Sequence, residues 1–169
     1  PSSMADPEPT EPDLSGGRRN PAPGVLRIPH EQTLVFLTVN AVRPARWLAA
    51  EEPHRLLVDT WRAARGWLVG YYLLMPDHLH CLCAPGVGNF EIERWISYWK
   101  DQFWKRHRRP GWEWQPRGFH HRLRSDESFE EKWHYVRHNP VRAGLADQPE
   151  DWPWQGLVHD LGIADLNRR

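Results

Sequence analysis

Cysteine is almost absent from the chain: Cys81 and Cys83 are the only two in 169 residues. They stand two apart in one apolar run, too close to bridge within a strand, so no disulfide framework is expected and nothing points to export. Long apolar runs are missing as well. No stretch approaches the roughly 20 apolar residues that a membrane-spanning helix needs, and no basic start followed by an apolar centre reads as a signal peptide. A cytoplasmic protein with no membrane partner is the expectation. Net charge is also lacking, since 22 Lys and Arg balance 22 Asp and Glu, and that balance neither favours nor excludes a polyanionic partner. There is no internal repeat, and the length suits one domain with a real core better than two.

What is present is unevenly distributed. The opening "PSSMADPEPTEPDLSGG" carries Asp6, Glu8, Glu11 and Asp13 with no base, whereas Arg94 to Arg124 holds nine Lys or Arg against Asp101 and Glu113. A basic patch is therefore expected in the second half. Residues 1–24 are rich in Pro, Gly, Ser and acid and have almost no large apolar side chain, so they read as a disordered tail that cannot repay the entropy of ordering. A folded domain is expected over residues 25–160, with a short C-terminal tail over 161–169.

Periodicity divides the domain into elements. "TLVFLTVN", Thr33 to Asn40, is β-branched and aromatic and of strand length. Leu56, Leu57, Trp61 and Ala64 then recur at helical spacing, with Pro53 suited to the first turn and Gly66 to the exit. "WLVGYYLLM", Trp67 to Met75, is a second strand, and Met75-Pro76-Asp77 turns the chain into a third, "HLHCLCA". Ile92, Trp95, Ile96, Trp99 and Phe103 mark an amphipathic helix from Phe90 to about His107, with Asn89 as its expected cap. "RRPGWEWQPRGFHHR" breaks that helix. A last helix opens with "SDESFEE" and is expected to stop at Asn139, because Pro140 disfavours continuation. The order β, α, β, β, α, α implies an α+β fold: an antiparallel β-sheet with helices packed on it.

Two groups of residues carry chemistry. In a strand, side chains alternate between faces, so His78 and His80 share one face while Leu79, Cys81 and Cys83 share the other. Two imidazoles side by side on a stiff strand suit adjacent positions on one metal ion, with a third ligand from elsewhere; they are equally compatible with satisfied polar residues on a half-buried strand. Cys81 and Cys83 lack the gap of a zinc knuckle and read as buried, inert thiols. On the last helix, Phe129, Trp133 and Val136 form the core stripe and Tyr135 lies well off it. Asn139, one turn later, and Lys132, one turn earlier, share a polar face with Tyr135. That geometry serves a surface tyrosine as well as a reactive one.

"GYYLLMPDHLHCL", "YVRHNPVRAGL" and "DWPW", taken in order, resemble the REP-associated tyrosine transposases, a branch of the single-tyrosine HUH transposases. The resemblance runs from about Thr33 to Trp154. It implies the HUH, ferredoxin-like transposase fold, with His78 and His80 as ligands of Mg²⁺ or Mn²⁺ and Tyr135 as the nucleophile that forms a 5′-phosphotyrosine bond. It implies Asn139 as the third metal ligand, His138 being the other candidate. A single-stranded or hairpin DNA substrate follows, acted on by a monomer. Lys100, Lys105, Arg106, Arg108, Arg109, Arg117, Arg122 and Arg124 then suit phosphates, Lys132 suits the tyrosine's surroundings, and Trp112 and Trp114 suit unpaired bases. Relatives often carry an acid where this chain has His120. The rival readings are a catalytically silent hairpin-binding protein of the same fold and a metal-dependent hydrolase with no covalent tyrosine.

Overall fold

The computed structural model describes residues 33–122 and 129–163. The expected tail 1–24, Arg124, the "SDES" opening of the last helix and residues 164–169 lie outside them. The described elements run β1 (Val35–Asn40), α1 (Glu51–Ala63), β2 (Trp67–Leu74), β3 (His78–Pro85), α2 (Ile92–His107), β4 (Phe119–Arg122), α3 (Phe129–Arg137), α4 (Asn139–Arg142), a 3₁₀ turn at Pro149–Asp151 and β5 (Gln155–Leu157). The strands form one antiparallel sheet in the order β4-β1-β3-β2-β5.

Strand alternation gives this sheet two buried faces. Val35, Leu37 and Val39 of β1 and Leu79, Cys81 and Cys83 of β3 point to one side, where α1 and α2 cover them with Leu57, Trp61, Trp95, Ile96, Trp99 and Phe103. Two tryptophan N–H groups find backbone acceptors in this layer: Trp95 Nε1 donates to the Ala64 carbonyl at 2.7 Å and Trp67 Nε1 to that of Phe90 at 2.8 Å. The Cys81 and Cys83 thiols lie 3.5 Å apart in this core, unbridged, and burial together with Cys81 pushes the Cys83 thiol up. The second face is covered by α3. Trp133 and Val136 pack with Tyr71, Leu73, Met75 and Leu82, and Tyr71 and Trp133 set their ring centroids 5.8 Å apart. A register shift between Val69 and Tyr72 lets Tyr71 serve the second core and Tyr72 the first. Leu161 closes over Gly70, where an added Cβ would fall 2.6 Å from its Cδ1.

Several sequence expectations need correction. β4 and β5 appear in segments read as irregular; β4 is a four-residue edge strand with two histidines, and β5 has three residues centred on a glycine, so neither shows the apolar alternation that marks a strand. Glu91, not Asn89, precedes the first turn of α2, and no side chain caps it. Pro140 does not end helical structure. It lies in the first turn of α4, where its missing N–H has no partner to lose. Asn139 therefore opens a new helix and is not the cap of the preceding one.

Because Trp133 is fully buried and is the main contact of α3 with the sheet, Trp133→Ala should lower unfolding stability by about 3–5 kcal/mol. A urea titration should show the midpoint falling with an unchanged slope.

Candidate catalytic site

The site begins with the register of β1 against β3, which sets Asn40 opposite His78 and Thr38 opposite His80. Each imidazole has its Nδ1 engaged: His78 with Asp77 Oδ1 at 2.7 Å and His80 with Thr38 Oγ1 at 2.8 Å. An ionised carboxylate only accepts, so the N–H of this bond sits on His78 Nδ1, and in the neutral ring it is Nε2 that keeps the lone pair. Thr38 can accept likewise from His80, leaving a second basic Nε2. The ring centroids are 4.9 Å apart with planes at 83°, and Phe36 walls His80 at 5.5 Å.

Burial keeps His80 free of an extra proton. Burial pushes His80 down to about 3, helped by the charges of His78 and Arg142. Burial alone would raise Asp77, yet its hydrogen bond to His78 and the neighbouring positive charge hold the carboxyl below its ordinary value. Neutral imidazoles with oriented Nε2 lone pairs are what metal ligation requires, and an acceptor on each Nδ1 is the usual means of orienting such ligands. The donor set thus fits a divalent ion at two positions. Among the described residues no cluster of three or more His, Cys, Asp or Glu completes such a site, and a third donor drawn from them would be an amide or a hydroxyl.

Tyr135 is 65% exposed on α3, with Trp133, Val136 and Arg137 buried around the other side of the helix. Over its ring lies the guanidinium of Arg142, with Cζ 3.9 Å from the centroid. Arg142 also donates to the Tyr135 carbonyl at 2.8 Å and to the Asn139 carboxamide oxygen. Asn139 Oδ1 therefore has a cationic partner of its own. His138 turns back on α3, its Nδ1 donating to the His134 carbonyl at 2.8 Å and its ring 4.5 Å from that of His134.

The basic segment divides. α2 covers the first core, so Lys100, Lys105, Arg106 and the loop that follows rise from the layer behind the sheet, opposite the face that carries His78 and His80. Lys100 is half-buried, donates to the Gln115 carbonyl at 2.8 Å and is pushed down to about 8 by burial. Lys105 pairs with Asp101 and Arg109 with Glu52, each at 2.7 Å. Trp112 stacks on Trp47 at 5.3 Å with Arg109 over it, and Trp114 packs among Trp47, Trp99 and Phe103. Those two rings serve the protein's own packing. Arg106, Arg108 and Arg117 are exposed, while Arg122 on β4 and Lys132 on α3 are partly buried. His120 faces the helices, opposite Leu37, and its Nε2 lies 2.7 Å from Glu93 of α2.

No family model matches the chain. A REP-associated tyrosine transposase of Escherichia coli (strain K12) is 28% identical over 94 residues, which is 55% of this chain and 56% of that protein. A Haemophilus influenzae protein provisionally assigned to the same group is 26% identical over 102 residues, covering 52% and 57%. The matched stretches thus span little more than half the length of these curated relatives. A solved structure of a REP-associated tyrosine transposase bound to a REP hairpin superposes with a TM-score of 0.61 at 22% identity, over 92% of this chain and 95% of that one. The chain is similar in sequence to REP-associated tyrosine transposases. It shares their α+β fold.

Three site residues escaped the sequence reading. Asp77 sits beside the first histidine in "PDHLH" and its adjacency was a usable signal. Thr38 is visible only through strand register, and Arg142 only once the chain is known to continue as helix past Pro140.

His80 ties the site to stability. In the unfolded chain its pKa is near 6.5 and in the fold about 3, so the unfolded state binds the extra proton first as pH drops. The contribution is complete above about 6.5 and is lost between there and 3. In chelator, at 1.36 kcal/mol per pH unit, moving to a pH of about 4.5 should remove about 2–3 kcal/mol through this residue. Urea unfolding of parent and His80→Asn across that range should show the difference narrowing by this amount.

Proposed function

We propose that the chain cleaves and rejoins single-stranded DNA at palindromic, REP-type hairpins through a covalent bond to Tyr135. One observation carries this reading: the exposed tyrosine under Arg142 stands on α3, the helix that packs on the same sheet face from which the oriented imidazoles of His78 and His80 project. The hairpin-bound structure with the same fold, and the two related sequences, support hairpin DNA as the substrate.

His78 and His80 would hold a divalent ion, Mg²⁺ or Mn²⁺, through Nε2, with Asn139 Oδ1 as a further donor once it is released from Arg142. Such an ion, when bound, polarises the scissile phosphate and offsets the charge that develops on it. The protein's own part is to direct Tyr135 Oη outward and to fix the imidazoles. In the step itself the phenol loses its proton to solvent, Oη bonds to phosphorus, the bond from phosphorus to the 3′ oxygen breaks, and that oxygen takes up a proton. The 5′-phosphotyrosine conserves the phosphodiester bond, so attack by a 3′-hydroxyl reverses the step and rejoins strands.

Incubation with a hairpin oligonucleotide and Mn²⁺ should give a covalent protein–DNA adduct that chelator, His78→Ala, His80→Ala or Tyr135→Phe each abolishes. Hairpin binding with no adduct under any condition would leave a DNA-binding protein and sink the cleavage reading. An active Tyr135→Phe would point instead to hydrolysis by a bound water.

Phosphate contacts of Arg117, in the loop before the edge strand, Arg122, on the helix-facing side of that strand, and Lys132, on α3, belong to the same reading. Replacing these three should flatten the log–log salt dependence of hairpin binding by on the order of 2, at about 0.7 per phosphate contact on a single strand. Replacing Arg106, Arg108 and Arg109, behind the sheet, should change it less. Equal effects from the two triple variants would show that the DNA wraps both layers.

A further inference from the structure

Arg142 has an unusual set of partners. Its guanidinium touches the Tyr135 ring, the Tyr135 carbonyl and the Asn139 carboxamide, and all three are uncharged. Arg62, Lys105, Arg109 and Arg137 each sit beside a carboxylate; among the described residues none pairs with Arg142. A guanidinium offers five N–H donors in a planar fork that matches two oxygens of a phosphate. Two neutral acceptors and a ring leave part of that fork unused and, among the described residues, no carboxylate paired with its charge.

The position of this cation matters as much as its partners. It covers one face of the ring whose hydroxyl is exposed, and it holds the carboxamide one helical turn away. A phosphodiester in line with Tyr135 Oη would bring its non-bridging oxygens beside the guanidinium after rotation of the outer Arg142 torsions. Negative charge on those oxygens increases as the phenolic oxygen approaches phosphorus.

We propose that Arg142 is a phosphate-binding catalytic residue of this site: when DNA binds, its guanidinium leaves the Asn139 carboxamide for a non-bridging oxygen of the scissile phosphate while remaining over the Tyr135 ring. This rests on the tyrosine-transfer reading and deepens it. The exchange replaces a neutral acceptor by an anionic one, which makes a shorter and stronger bond, and it frees Asn139 Oδ1 at the moment the phosphate arrives. Arg142 then acts chiefly in the transition state, because the charge it faces is largest there.

The test measures the rate of adduct formation at saturating hairpin DNA in Mn²⁺ for the parent, Arg142→Lys and Arg142→Ala, with circular dichroism to verify folding. Arg142→Ala should slow the adduct on the order of 100-fold, as loss of one transition-state donor does elsewhere. Arg142→Lys should recover part of the rate, and added guanidinium ion should partly restore Arg142→Ala but not Tyr135→Phe. The decisive arm replaces the scissile phosphate by a neutral methylphosphonate. If Arg142 neutralises that phosphate, the deficit of Arg142→Ala shrinks to a few-fold on the uncharged substrate. A residue that only shapes the helix turn would show the same deficit on both substrates, and that result, or a parent-like rate on phosphate, overturns the assignment. Should the parent form no adduct, it is the cleavage reading that fails. The contact is then read from hairpin binding, where Arg142→Ala should reduce the salt slope by about 0.7, and an unchanged slope overturns it.

Discussion

The antiparallel register that places Thr38 opposite His80 is the constraint from which the site follows. It presents a hydroxyl to the Nδ1 of the deeper histidine at 2.8 Å and so commits that nitrogen. The same register brings the end of β1 beside the turn before β3, where the Ala41 N–H donates to the Asp77 carbonyl at 2.8 Å and steadies the residue that engages His78. A slip by one residue would turn both imidazoles into the apolar core beneath α1 and α2. The core excludes that slip, because Leu79, Cys81 and Cys83 would then face the other way and leave Trp61, Trp99 and Phe103 without partners.

The division of labour between the two sheet faces follows from the same alternation. One face is closed by two amphipathic helices and a cluster of tryptophans, and it supplies most of the apolar burial. The other is closed over its β2 half by α3, and the histidines emerge beside that cover on β3. His120 illustrates the separation. Its side chain lies on the helix side and meets Glu93 at 2.7 Å. The carboxylate has been supplied from α2, and it ties the edge strand to that helix without touching the candidate site.

How much of this was legible in the sequence depended on whether the signal was local. The convergence of His78 and His80, the outward direction of Tyr135 and the stripe of α2 are consequences of period 2 or 3.6 and can be read from spacing alone. β4 and β5 are short strands whose existence is decided by the neighbour they pair with, so their own residues say little. The aromatic character of Trp112 and Trp114 suggested base stacking, but which face a loop ring offers is set by Trp47, about 65 residues away in sequence and brought close only by folding. Arg142 was hidden for a similar reason. Its reach back to Tyr135 exists because Pro140, read from sequence as a stop, instead starts the turn that carries Arg142 over the ring.

The direction of Tyr135 is settled by groups that take no part in the chemistry. Trp133, Val136 and Arg137 are all buried on the far side of α3, and Arg137, 2% exposed, meets Glu150 of the 3₁₀ turn at 3.1 Å. Rotating the helix to bury the tyrosine would bring an indole into water and pull a guanidinium away from its carboxylate, and an unpaired charge left in a buried position is among the costlier defects a fold can carry. The phenol is therefore exposed because its neighbours cannot be. Arg142 has only to restrain the ring of a side chain whose backbone the core has already oriented. It can exchange one of its own partners without loosening the tyrosine.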